Sequence, residues 1–148
     1  MVLNEKVTAI DDLPPKAKGP SVWLGSEMAK TSEWKELLEQ AEIDEIGFAA
    51  RTALRSSGGN IAKITAAMFP LPNSSKRLSN IESDVMHGRG FALLRGLPVD
   101  DWGTELSAAA FYGLGAHLGS ARSQNAKGHI LGHVKDLGRD PDDPNARI

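Results

Sequence analysis

Gly90-Phe91-Ala92-Leu93-Leu94-Arg95-Gly96 is the stretch on which the fold turns. It is short, apolar at both alternating positions and bracketed by glycines, a pattern that predicts a strand covered on both sides. Pro98 ends it, since proline has no N–H to donate to a ladder. On its C-terminal side Leu106, Ala109 or Ala110, Gly113 or Leu114, and His117 or Leu118 recur at helical spacing, which predicts a helix over Thr104 to Leu118 capped by Gly119. Gly113 and Gly115 lie inside that helix at a cost of roughly 1 kcal/mol each relative to alanine, and close packing of another backbone is the expected compensation. On its N-terminal side Leu78, Ile81 and Val85 predict the inward face of a helix that starts near Ser74 or Ser75 and closes at His87-Gly88.

Further out, Trp34, Leu37, Leu38, Ala41, Ile43, Ile46, Ala50, Ala53 and Leu54 have helical spacing over Ser32 to Ser57. Ser32 is the candidate N-cap and Gly58-Gly59 the stop, so one broken helix or two consecutive ones are expected. Asn60 is placed to cap a short helix through Ala67, ended by Pro70 and Pro72. Residues 1–22, with Pro14, Pro15, Gly19 and Pro20 among charges, predict an extended arm. Gly128 to Asp136 alternates like a strand, with Ile130 and Val134 on one face and His129, Leu131 and His133 on the other. The tail from Asp140 is turn chemistry. Helices thus precede a strand, a helix and a second strand, and the expected fold class is α+β.

Composition narrows the function. The 148 residues are 41% hydrophobic and 24% charged, carry a net charge of -2 and contain no cysteine. Those values suit one soluble globular domain. The scattered lysines and arginines supply no basic stripe for nucleic-acid phosphates, so no nucleic-acid partner is expected. No leader-like or membrane-length apolar run occurs, so the expectation is a cytoplasmic protein with no membrane partner. Any metal would need His and carboxylate ligands.

The residues do not themselves assemble a catalytic site. His129 and His133 on a strand stand roughly 13 Å apart, too far to share one ion. His117 and His87 sit at helix ends, where a bond to a carbonyl or the helix dipole explains them. There is no G-x-S-x-G elbow and no G-x-x-x-x-G-K-[ST] loop, and Gly88-x-Gly90 precedes a strand instead of coming after one.

Four segments nevertheless resemble, in order and spacing, the taurine dioxygenase-like (TauD/TfdA) family of iron(II)/2-oxoglutarate-dependent oxygenases. They are Gly19-Pro-Ser-Val-Trp-Leu-Gly25, His87-Gly-Arg-Gly-Phe-Ala-Leu-Leu-Arg-Gly-Leu-Pro98, Gly113-Leu-Gly-Ala-His-Leu-Gly119 and Ser123-Gln-Asn-Ala-Lys-Gly-His-Ile-Leu-Gly-His-Val-Lys-Asp136. The resemblance implies that residues 23–148 are the N-terminal part of one oxygenase domain. That part would be a helical portion and then the first strands of an incomplete double-stranded β-helix, or jelly roll. In the family two histidines and a carboxylate hold iron(II) beside 2-oxoglutarate, and a small organic substrate is hydroxylated.

This sequence departs from the family in having no H-x-D or H-x-E anywhere. The resemblance therefore implies a chain cut before its H-x-D motif, with no catalytic or metal-ligating residue of its own, and neither iron(II) nor 2-oxoglutarate is expected to bind it alone. Ser123, Gln124 and Asn125 carry over as candidate substrate-binding residues, with Lys127, His129 and Asp136 as weaker candidates. The competing expectation is a non-catalytic interaction or dimerisation module derived from that family, and a homo-oligomer stays open under either.

Overall fold

The computed structural model describes residues 15–123, 128–132 and 138. Four α-helices and two strands occur in the order α1 (Gly25–Met28), β1 (Lys35–Leu37), α2 (Gln40–Ser56), α3 (Ser75–His87), β2 (Leu93–Arg95) and α4 (Val99–Leu118), with 3-10 turns at Ile61–Lys63 and Ala66–Met68. The chain is α+β: rich in helix, with one small sheet in which β1 and β2 run parallel. Its contacts gather into two compact units, one of residues 1–39 and 75–97 and the other of residues 40–74 and 98–148.

The first unit holds the sheet. Lys35, Glu36 and Leu37 stand opposite Leu93, Leu94 and Arg95. Hydrogen bonds from Leu93 N–H to the Trp34 carbonyl (2.8 Å) and from Leu38 N–H to the Arg95 carbonyl (2.9 Å) extend the pairing at both ends. The helix expected from Ser32 is corrected here, because helix begins only at Gln40. Burial shows why: Trp34, Glu36 and Leu38 turn inward while Lys35 and Leu37 are exposed, the period of two that a strand demands. Nor is β2 covered on both sides, since Leu93 is 43% exposed and Leu37, opposite Arg95, is 70% exposed.

Leu78 and Ile81 of α3 are buried as expected, but Val85 is exposed. The helix closes through Asp84, whose carbonyl accepts from the N–H groups of both Gly88 and Gly90. Gly90, not Gly88, takes the left-handed conformation, with φ of 88°. Residues 15–22 contain no helix or strand; a turn from Gly19 to Val22 leads into Trp23. The Trp23 ring tilts against Phe91 at 5.1 Å, Trp34 meets the same ring at 5.8 Å, and Trp23 Nε1 donates to the Arg89 carbonyl. Arg89 pairs with Asp84, and Arg77 with Glu36 at 2.7 Å. Three aromatic rings thus do much of the packing that two three-residue strands cannot.

The second unit is helical. Ile46, Ala49, Ala50 and Ala53 of α2 and Ala109, Ala110 and Leu114 of α4 are buried, together with Ile64, Phe69 and Leu71 from the intervening segment. The two helices pack together, and their alanine-rich faces permit close approach. Gly47 serves the same end: a Cβ there would stand 2.9 Å from the Trp102 ring. Gly58 and Gly59 stop α2 with φ of 64° and 79°, and Gly59 N–H reaches back to the Leu54 carbonyl at 2.8 Å. Asn60 caps as expected, its Oδ1 accepting from Ala62 N–H at 3.0 Å, although the segment it opens contains two 3-10 turns and no α-helix.

Gly103 interrupts α4 with φ of 68° and ψ of 177°, so the regular helix runs over the expected span from Thr104. Gly119 ends it in an extended conformation, with its N–H on the Gly115 carbonyl. The fully buried Phe69 ring lies where a Cβ on Gly113 would be, so the compensation for that glycine is an aromatic ring and not a neighbouring backbone. At Gly115, in contrast, an added Cβ meets nothing within 4 Å. Gly113→Ala is therefore expected to destabilise the protein by about 1–3 kcal/mol despite its better helix propensity. Gly115→Ala should be neutral or stabilising by up to about 1 kcal/mol in the same denaturant melts.

Candidate functional site

The last turns of α4 carry a concave surface in the second unit. Phe111, Tyr112, Gly115, Ala116, Leu118 and Gly119 form one wall of an open cleft of about 610 Å³. Ala62, Ile64, Thr65 and Ala66 form another, and Ser120, Ala121, Ile130 and Leu131 complete the lining. A cleft opens here because the helix turns a strip of small residues outward, with Gly115, Ala116 and Gly119 offering no side chain beyond a methyl group. The 3-10 turns hold their wall in place through Ile64, which is 3% exposed.

No lysine, arginine, histidine or carboxylate is among the described lining residues. The polar groups are the hydroxyls of Thr65, Tyr112 and Ser120, none of which has a side-chain hydrogen-bond partner among the described residues. One step behind the wall, His117 Nε2 donates to the Phe69 carbonyl at 2.7 Å, with the two rings edge to face at 6.4 Å. That assigns His117 the structural role expected of it and orients the final turn of α4.

Of the residues singled out from sequence, Ser123 lies in an exposed irregular segment three positions beyond Ser120 and is not part of the cleft lining. Gln124, Asn125, Lys127, His133 and Asp136 lie outside the described residues. His129 is exposed in a non-strand segment: Gly128–Gly132 forms bends, with Gly128 at φ of 77°, which corrects the strand expected there as far as the described residues reach. His87 is exposed at the end of α3. Among the described residues no group of three or more histidines and acidic residues is placed to hold a metal ion, so they do not fit an iron centre. No helix among them is long and apolar enough to cross a membrane.

Gly115, Ala116, Leu118, Gly119, Ile130 and Leu131 lie within the family-like segments quoted above, but none of the lining residues was singled out as a site residue, because none carries a ligand, nucleophile or charge. The one available signal was the uncompensated helical glycine at 115, which marks open space and not, as at Gly113, a tight contact.

No protein-family model matches the chain. It is 27% identical over 130 residues to FR-33289 synthase of Streptomyces rubellomurinus (strain ATCC 31215), an alignment that covers 88% of this chain and 38% of that protein. The chain thus spans well under half the length of this relative.

One carboxylate in the helical unit has a displaced titration. Burial pushes the Glu45 carboxyl up, but hydrogen bonds from the Ser74 hydroxyl (2.6 Å) and from the N–H groups of Asn73 and Ser74 (2.9 Å each) outweigh it and hold the group below its ordinary value of 4.5. A carboxyl lowered on folding adds stability that is present in full above its unfolded value and is lost as pH falls through the folded one. Glu45→Gln should therefore weaken the fold by about 1 kcal/mol at neutral pH. It should also flatten the loss of stability below pH 4.5, as read from urea midpoints across the acid range.

Proposed function

We propose that this chain is the N-terminal portion of an iron(II)/2-oxoglutarate-dependent oxygenase of the taurine dioxygenase-like kind, an oxidoreductase that hydroxylates a small organic substrate. The observation that carries the reading is the ordered run of four family-like segments between Gly19 and Asp136. The similarity to a synthase across 88% of the chain is compatible with it. So is the α+β organisation of the chain. Ser123, Gln124 and Asn125 would run beside the substrate.

The iron and 2-oxoglutarate ligands are assigned to sequence outside these 148 residues. The 148-residue chain on its own is accordingly inactive and takes neither iron(II) nor 2-oxoglutarate. On this reading the H-x-D pair, the second histidine and the arginine for 2-oxoglutarate belong to the remainder of such an enzyme.

Two measurements test this. Calorimetry with iron(II) and 2-oxoglutarate, together with an assay for succinate, should give no signal for the 148-residue chain and a stoichiometric one for the product of the continued frame. Turnover by the 148-residue chain would make ligands of His117, His129 and His133 and overturn the assignment of ligands elsewhere. A continued frame without H-x-D would overturn the oxygenase reading itself.

A further inference from the structure

The open cleft at the end of α4 holds three features that converge on one kind of occupant. Its volume of about 610 Å³ falls within the range of small-molecule sites, which run from about 300 to 1,000 Å³. Its described lining is largely aliphatic and aromatic, from Ile64, Phe111, Leu118, Ile130 and Leu131, and no charged side chain is among the described lining residues. An ion entering it would surrender hydration with nothing to replace it, whereas an apolar body gains by leaving water. The hydroxyls of Thr65, Tyr112 and Ser120, unengaged by other described side chains, can then fix one or two hydrogen-bonding groups of an otherwise apolar molecule.

Gly115 is the independent observation. A glycine within a helix costs about 1 kcal/mol against alanine, and at Gly113 that cost is offset by the ring of Phe69 seated on it. Nothing of the protein occupies the corresponding space at Gly115, which is part of the cleft wall. Phe111, one turn earlier, leaves its ring 67% exposed at the same wall, an arrangement that costs free energy in water and gains when another apolar surface covers it.

We propose that this cleft is a binding site for an uncharged, mainly apolar small molecule of about one or two rings carrying a hydroxyl or carbonyl group. The claim stands on the cleft alone: it needs no metal and holds whether or not the chain belongs to an oxygenase.

The test uses three probes that share a ring system and differ in charge: 2-naphthol, 2-naphthoate and 1-naphthylmethylammonium. They are titrated into the 148-residue chain at pH 7 and followed by calorimetry and by the chemical shifts of Tyr112 and Phe111. Expected is saturable binding of the neutral naphthol, with both ions weaker by about tenfold or more because neither finds a counter-charge. Gly115→Trp, which fills the open space, should abolish binding while the far-ultraviolet circular dichroism stays that of the parent. Gly115→Ala, too small to block the cleft, should retain it, which guards against a misfolded tryptophan variant. An anion or cation that binds as well as naphthol, binding unaffected by Gly115→Trp, or no saturable binding would each overturn the proposal. So would concentration-dependent dimerisation that Gly115→Trp removes, since that would make a second copy of the chain the occupant. Failure of iron binding does not bear on any of these outcomes.

Discussion

The helical unit depends on one contact, the Phe69 ring seated on the bare backbone of Gly113. Phe69 is fully buried and lies in a segment with no long element of its own, between a 3-10 turn and Pro70. The contact works only if the helix has no side chain there, so a glycine that weakens α4 locally is what lets the connecting segment be pinned to it. The Phe69 carbonyl then takes the His117 N–H one turn further on, so backbone and side chain of one residue are held by the same helix face. With that segment fixed, Ile64 and Leu71 are drawn into the core, and the 3-10 turns between Ile61 and Met68 become a rigid wall instead of a loose loop. The cleft is a consequence of this placement.

Where the sequence could be read, burial on one face of a long helix was the reason. Ile46, Ala50 and Ala53 repeat often enough to outvote local ambiguity, and the helix from Thr104 to Leu118 is similarly over-determined. Ser32 to Leu38 was not legible for the opposite reason. Trp34, Leu37 and Leu38 satisfy a helical period, while Trp34 and Leu38 alone satisfy an alternating one, and the choice is made by hydrogen bonds to residues 93 and 95, far away in sequence. A three-residue strand has too few positions to declare its period, and its partner decides for it. The same holds in reverse for Gly128–Gly132, where alternation is present but the described backbone forms bends.

The candidate site was legible to a lesser degree, and the reason is chemical. Motif reading finds ligands, nucleophiles and phosphate loops because those chemistries need particular residues at particular spacings. An apolar cleft needs only absence of bulk and absence of charge, spread over three separate segments. Residues such as Ala62, Ala116 and Ala121 carry no signal one at a time. Attention to the polar run from Ser123 came within three residues of the cleft at Ser120 and passed over the small residues that make it.

The uncharged lining also constrains the oxygenase reading. 2-Oxoglutarate is a dicarboxylate, and sequestering it requires a cation or several converging N–H groups to replace its hydration. Among the described side chains of the lining, Thr65, Tyr112 and Ser120 provide neutral hydroxyls and the others provide carbon. The described side chains of the cleft therefore supply no cation for such a cosubstrate. If the chain works within an oxygenase, the cleft can serve the apolar body of a substrate, with the anionic cosubstrate gripped elsewhere by an arginine that these 14 lining residues do not include. On that reading the separation of the two is electrostatic before any catalytic residue is assigned, because a lining whose described side chains carry no charge does not replace the hydration of a dianion.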